Sequence, residues 1–509
     1  MNNNNIKHSL LYRMKIKSFL AKPYAAYVKK KIKKDAANAV QDQLAIMRTL
    51  INKAAATKFG KAHHFSSIKT YEDFKQHIPI VDYEQFKPYI ELIKQGEENV
   101  CWKGKPLYFA KTSGTTSGAK YIPISKDSIS NHIDTAKFAL LNYMAETGNT
   151  SFADGKLIFL SGSPVMDRVA GIPTGRLSGI VNHFIPAYLR KNQLPSFETN
   201  CIEDWEQKLG HIVAETHNQD MRLISGIPPW MQMYFDWLQE KKPGQTIKQL
   251  FPNLQVFVYG GVNFEPYRAK LMQSIGGDID TIETFPASEG FFAFQDKQGE
   301  KGLLLNTNSG IFFEFVPAEE IFNDQPTRLN LAQINLGVNY ALIINSNAGL
   351  WGYNIGDTVK FISKDPYRII VSGRIKHFIS AFGEHVIGEE VEYALAKGLA
   401  KVPANIIEFT VAPMIQVTNG LPYHEWLIAF EEVPENIAIL AKEIDLAMQE
   451  KNVYYKDLLH GGVLQTLKIK VLKKDAFIQY MKAQGKLGGQ NKVPRLSNDR
   501  QIAEALLSI

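Results

Sequence analysis

The chain has 509 residues, 45% of them hydrophobic, with 58 Lys and Arg against 51 Asp and Glu, a net charge of +7. That length buries a large core and exceeds what one domain usually holds, so at least two domains are expected, and the apolar share excludes a disordered or fibrous chain. Two cysteines, Cys101 and Cys201, make neither a disulfide framework nor a metal-ligand spacing, which favours a reducing compartment, the cytoplasm.

The first element is basic. Ten Lys and Arg lie between Lys7 and Lys34 with no acid among them, and removing them leaves the remainder at −3. The basicity is therefore local. YVKKKIKK reads as a solvated helix face or as a weak contact to an anionic surface, and no nucleic-acid partner is expected. No apolar run reaches the roughly 18 residues that span a bilayer, and no hydrophobic leader with a small-residue cleavage site is evident, so neither insertion nor export is expected.

Residues 35–58 read as a helix, with Leu44, Met47, Ile51 and Ala54 at helical spacing and Gly60 just beyond. Next come the strand-like PLYFA and a loop, KTSGTTSGAK, residues 111–120. Gly114 and Gly118 are only four apart and Lys120 precedes Tyr121, so the loop fails the Walker A template G-x-x-x-x-G-K-[ST]. Its chemistry still suits an anion. Ser113, Thr115, Thr116 and Ser117 carry hydroxyl donors, the glycines allow close backbone approach, and Lys120 adds charge. A helix from about 126 to 146 follows Ser125, so the loop is expected between a strand and a helix, where anion loops favour residence.

KLIFLSG, MRLISG, LQVFVYGG and TIETF are short apolar strands that alternate with helical stretches near 203–217 and 229–240, the pattern of an α/β domain with a largely parallel sheet. Past residue 300, GLLLNTNSGIFFEFV, YALIINSNAG and KFISKDPYRIIVSG read as an antiparallel appendage. Beyond Gly373 a smaller unit is expected, with helices near 387–399 and 434–450 and strands IIEFTVAP, YHEWLIAFEE and LQTLKIKVL. The fold class predicted is α/β, with a large domain of residues 1–373 and a smaller one of residues 374–509.

Three later stretches bear on the loop. VYGGVNFEP, residues 258–266, ends a strand in Gly260 and Gly261; TFPASEGFF, 284–292, ends another with Ser288 and Glu289; YNIGDTVKF, 353–361, is followed by SGR at 372–374. Strand ends are where α/β folds bind ligands. In this order, the pieces resemble the adenylate-forming superfamily of acyl-CoA synthetases, luciferases and peptide-synthetase adenylation domains. TSGTTSGAKYIPIS, IPIVDYEQFKPYIELIKQGE, SEG, YHEWLIAFEE and NKVPRL look, more narrowly, like the auxin-responsive acyl acid amido synthetases of plants and their bacterial relatives. The resemblance covers about residues 40–500.

The resemblance implies a large N-terminal α/β domain with mixed sheets and a small mobile C-terminal domain. It also implies a ligase that uses ATP and Mg²⁺ to convert a carboxylic acid to its acyl-adenylate and passes the acyl group to an amino acid. It places Ser113, Gly114, Thr115, Thr116, Ser117 and Lys120 around the ATP phosphates. Gly260 and Gly261 would lie against the nucleotide, Phe285 on the adenine where the plant pattern has Tyr, and Ser288 beside it. Glu289 would hold Mg²⁺, Asp357 the ribose hydroxyls, and Arg374 the ribose or α-phosphate. Lys120, Arg374 and a mobile lysine would supply catalytic charge. Lys492, in Lys-x-Pro-Arg context, is the choice for that lysine over Lys486. SGIPPWMQMYFDWL, residues 225–238, offers Trp230, Met233 and Phe235 as acyl-pocket surface. An acid-CoA ligase shares the first half-reaction and is the alternative. After SGR the chain carries AFGEHVIGEEVE where the plant branch tends to have Asp-Lys-Thr, which leaves His385 without a role.

Overall fold

The computed structural model describes residues 21–509 apart from 113–118, 185–189, 262–263, 376–377, 380–383, 385, 416, 418–419, 461–462 and 488–491. The chain resolves into two compact units. The first comprises Met1–Ile227, Trp237–Gly261 and Asp278–Ile370, and the second Pro228–Asp236, Val262–Gly277 and Val371–Ile509.

In the first unit β1 (Tyr108–Thr112) pairs antiparallel with β2 (Lys120–Ile124), with Thr112 opposite Lys120. The candidate anion loop therefore joins two strands of a hairpin, and the helix expected to follow it begins only at Ile129, after β2. The correction has a local cause. The apolar YIPI segment pairs with β1 and buries Ile122 and Ile124. Pro123 is tolerated because β2 is the edge of a four-stranded sheet, ordered β2-β1-β5-β4 with β4 at Asp167–Val169 and β5 at Ile172–Gly175.

The principal sheet contains β3 (Lys156–Phe159), β6 (Gln193–Leu194), β7 (Met221–Ser225), β8 (Val256–Gly260), β9 (Asp280–Ala287), β10 (Gly290–Phe294), β11 (Leu303–Leu305), β12 (Ile311–Pro317), β13 (Asn339–Ser346), β14 (Tyr353–Lys364) and β15 (Tyr367–Arg374). These eleven strands run in the order β12-β13-β14-β15-β11-β10-β9-β8-β7-β3-β6. The stretch from β6 to β9 is parallel throughout. Its strands are near-continuous apolar runs because both faces are covered; Ile158, Leu223, Ile224, Val256, Phe257 and Ile282 are all buried. At β9 the chain reverses in a two-residue hairpin, and the antiparallel strands continue this sheet instead of standing apart as an appendage.

The helix Ile129–Thr147 packs on this sheet through Ala139, Tyr143 and Met144. The basic segment contributes a helix over residues 21–37 whose Ala25 and Val28 join that core, while Lys22, Lys30, Lys33 and Lys34 face solvent. Among the described residues no helix is long and apolar enough to cross a membrane.

The second unit holds β16 (Phe378–Ile379) and β17 (Val386–Ile387), and a sheet in which β18 (Ile406–Met414) pairs antiparallel and β20 (Lys468–Leu472) parallel with β19 (Tyr423–Phe430). The helices Gly388–Lys401 and Ile437–Lys451 meet where Gly398 faces Ile444, so closely that a Cβ there would lie 2.5 Å from Ile444 Cγ1. The helix Glu265–Ile275 belongs to this unit, held by Lys270 to Glu431 at 2.8 Å and by Tyr267 donating to Glu408 at 2.9 Å.

Candidate active site

The parallel strands of the first unit align Phe159, Ser225, Val258 and Ile282 in one row across the sheet. Everything beyond that row lies at the carboxyl edge, the ligand-binding edge of open α/β sheets. Four strand ends converge there: Ser161–Gly162 after β3, Ser225–Gly226 of β7, Gly260–Gly261 of β8, and the β9–β10 hairpin, which carries Ser288 and Glu289 in its turn. Gly260 pairs with Thr284, and a Cβ on it would stand 2.4 Å from the Thr284 carbonyl oxygen, so no other residue fits at that closeness. Gly261 has φ of +81°, the left-handed region that glycine occupies without penalty. These contacts lock the end of β8 against β9 and leave backbone, not side chain, at the edge.

The hairpin is fixed from below. Gly290 pairs with Ala287, making Ser288–Glu289 the two turn residues. Both are half-buried. Asn131, buried on the helix Ile129–Thr147, accepts from the Phe291 N–H at 2.7 Å and donates to the Phe291 carbonyl at 3.3 Å and to Ser309 Oγ at 2.9 Å. Asn131 was not legible as a site-forming residue; in the sequence it is one of two amides, with Asn142, on that helix. Phe285 is buried and meets Phe292 edge to face, ring centroids 5.2 Å apart.

Asp357 sits in β14 within a bulge. Ala341 pairs with Thr358 and Ile343 with Asn354, so residues 355–357 stand opposite Leu342 alone. Gly356, at φ +87°, makes the bulge possible, and its N–H is taken by Asn354 Oδ1 at 2.9 Å. Bulges re-aim side chains, and this one turns Asp357 out of the regular alternation while leaving it half-buried. Lys120 begins β2 half-buried, its Nζ 5.5 Å from the centre of the Tyr83 ring, and the Tyr83 hydroxyl accepts from the Tyr121 N–H at 2.9 Å. Ser113, Gly114, Thr115, Thr116 and Ser117 lie outside the described residues, as does His385.

The remaining candidates belong to the second unit. Arg374 ends β15 and is exposed, and Lys486 is half-buried just past the helix Ala476–Ala483. On the helix Pro228–Lys241, Phe235 is fully buried, Trp230 is 6% exposed and Met233 is half-buried. Lys492 is exposed, and the chain after it is laid along β18: Val411 N–H donates to the Arg495 carbonyl at 2.9 Å and Thr410 Oγ1 to the Pro494 carbonyl at 2.8 Å. Arg495 donates to Glu408 and to the Tyr267 hydroxyl, with Glu392 at 3.3 Å. These acids raise the guanidinium's pKa above its ordinary value against the lowering effect of burial.

Models of three GH3 domains match the chain: the GH3 family N-terminal domain at residues 28–209, the central domain at 304–374 and the C-terminal domain at 389–501. The chain belongs to the GH3 family. A jasmonoyl–L-amino acid synthetase of Nicotiana attenuata is 23% identical over 357 residues, covering 56% of this chain and 60% of that protein. An indole-3-acetic acid-amido synthetase of Arabidopsis thaliana is 26% identical over 280 residues, covering 51% and 46% respectively. The matched stretches thus span about half to three fifths of these relatives. Among solved structures, the GH3.15 acyl acid amido synthetase superposes with a TM-score of 0.76 at 15% identity, covering 94% of this chain and 95% of that one. A 2-hydroxyisobutyryl-CoA ligase in its postadenylation state gives 0.61 at 14% identity, covering 93% and 92%. This GH3 chain therefore has the fold of the adenylate-forming enzymes.

Proposed function

We propose that the protein is an ATP-dependent acyl acid amido synthetase, which converts a carboxylic acid to its acyl-adenylate and transfers the acyl group to the amine of an amino acid. The observation that carries this reading is the carboxyl edge of β3, β7, β8 and β9, where Gly260–Gly261 and the Ser288–Glu289 turn stand together in a chain of the GH3 family. The amide-forming relatives supply the acceptor class.

In this reading ATP is a substrate laid along that edge, its phosphates toward the 113–120 loop and Lys120. Attack of a carboxylate on the α-phosphate brings two anions together, so fixed positive charge at the reacting centre is the main demand. Lys120 meets it in the first unit, and Arg374 and Lys492 are the further cations that the reading assigns to this step. Phe285 and Ser288 face the adenine, Asp357 accepts from the ribose hydroxyls, and Trp230, Met233 and Phe235 shape the acyl side.

The donor set also fits Mg²⁺. Among the described residues no three carboxylate, His or Cys side chains converge, but a magnesium ion bridged to nucleotide phosphates needs only one or two protein carboxylates. Glu289, on the β9–β10 turn, would be that carboxylate, and a bound ion would supply positive charge against the triphosphate. We place the protein in the cytoplasm, since Cys101 and Cys201 are both free thiols.

ATP–pyrophosphate exchange against a broad panel of carboxylic acids tests adenylation, and AMP release with amino acids against coenzyme A tests the acceptor. AMP release stimulated by the thiol alone would reassign the chain to thioester formation; no exchange with any acid would end the reading.

A further inference from the structure

Beyond the nucleotide end of the carboxyl edge, two cations that no carboxylate pairs with among the described residues stand at the end of β3. Lys208, on the helix Trp205–Thr216, is 3% exposed, and its ammonium donates to the carbonyls of Ser161 at 3.0 Å and Asn200 at 2.9 Å. Burial pulls its pKa down to about 8. Arg176 lies over Gly162, whose missing Cβ would come within 2.7 Å of Arg176 Cδ. Arg176 is exposed to solvent, and partial desolvation by the atoms around it lowers its pKa. Among the described residues no carboxylate pairs with either cation. The floor is ordered: Gly162 N–H donates to Ser178 Oγ at 3.1 Å, and Asn182 donates to Ser161 Oγ at 3.0 Å.

A buried ammonium held by two carbonyls is costly while it stays charged and unpaired, and an anion bound by the exposed guanidinium nearby would offset that cost. The position fixes which anion. β3 is separated from β8 by β7 alone, so the end of β3 lies about 10 Å from the end of β8, two strand spacings along the edge. That is too far for the carboxylate that attacks the α-phosphate, and suits the distal end of the same acid.

We propose that Arg176, backed by Lys208, recognises a second anionic group on the acid, which makes the substrate an acid with two separated negative charges. This rests on the reading of the edge as an adenylating site and names its substrate class.

The test measures pyrophosphate exchange with aliphatic dicarboxylic acids from succinate to sebacate against monocarboxylic acids of matched length, using the full chain and the variants Arg176→Gln and Arg176→Lys. One dicarboxylate should outperform its monocarboxylate partner by about ten- to a hundredfold in kcat/KM, the size of a charge-assisted hydrogen bond. Arg176→Gln should collapse that ratio to near unity while sparing the monocarboxylate, and Arg176→Lys should restore part of it. A ratio unchanged in Arg176→Gln overturns the proposal, as does a wild-type preference for monocarboxylates. Calorimetric titration with suberate separates the two readings. Suberate binding that vanishes in Arg176→Gln, with no exchange for any acid, leaves the anion contact standing and removes adenylation; no suberate binding to wild type in the presence of exchange with monocarboxylates removes the anion contact alone.

Discussion

Asn131 and Phe291 exchange two hydrogen bonds: the amide oxygen of Asn131 accepts from the Phe291 N–H at 2.7 Å and its amide nitrogen donates to the Phe291 carbonyl at 3.3 Å. The helix side chain thus replaces a strand at the place where β10 begins, two residues after Glu289. Asn131→Leu leaves both backbone groups of Phe291 without these partners in a buried setting, a cost of about 1–3 kcal/mol. Urea unfolding should show that loss, and the KM for Mg-ATP in pyrophosphate exchange should rise because the turn is no longer held. A stability loss with unchanged KM would make Asn131 a packing residue only.

Glu289→Gln should keep the fold and lose most adenylation, because a neutral amide at the turn cannot hold a magnesium ion against the triphosphate. Near-normal pyrophosphate exchange would remove Glu289 from the metal site.

Asp357→Ala should weaken ATP more than the acid, by roughly 1.5–3 kcal/mol, the worth of a hydrogen bond to a charged acceptor. The carboxylate is aimed by a bulge that depends on Gly356, so Gly356→Ala, which forces an L side chain to φ +87°, should produce a similar loss of ATP affinity with Asp357 intact. Unchanged ATP affinity in both variants would sink the ribose assignment.

Lys492→Ala should slow acyl-adenylate formation by orders of magnitude, as removal of preorganised charge from a developing anionic centre does, and should spare transfer from a pre-formed adenylate. Arg495 anchors the adjoining chain through Glu408, Glu392 and Tyr267. Arg495→Met strands these buried partners and should cost about 3–5 kcal/mol of stability. A larger adenylation loss in Lys486→Ala than in Lys492→Ala would transfer the role to Lys486.

His132 gives a pH signature. It is buried, its Nδ1 has no hydrogen-bond partner, and burial lowers its pKa to about 4. The folded value lies below the ordinary 6.5, so the unfolded chain binds the extra proton first. The contribution is full above pH 6.5 and is lost as pH falls from 6.5 to 4, at most about 3 kcal/mol. Urea unfolding from pH 7 to 4 should show a steeper decline for wild type than for His132→Leu; parallel declines would show that His132 is not buried neutral.

The alternation of apolar strands and helices between residues 156 and 287 was enough to read a parallel α/β sheet, since a strand covered on both faces must be apolar along its length and nothing else in that region is. Four motifs in order were enough to carry the resemblance to the acyl acid amido synthetases, and the family models and the fold bear that resemblance out. The loop 111–120 shows where local reading stops. Nothing in YIPI by itself says strand or helix approach, and it becomes β2 because β1 offers a partner.

The sequence by itself determined the family and the α/β fold class, because these follow from local patterns that each segment carries alone. Only the tertiary structure decided that Asn131 holds the Glu289 hairpin across 160 positions of chain, that Asp357 stands in a three-against-one bulge, and that Arg176 and Lys208 flank Ser161–Gly162. Each depends on which segments the sheet order brings side by side, and that order is set by burial summed over the whole unit, not by any stretch of sequence.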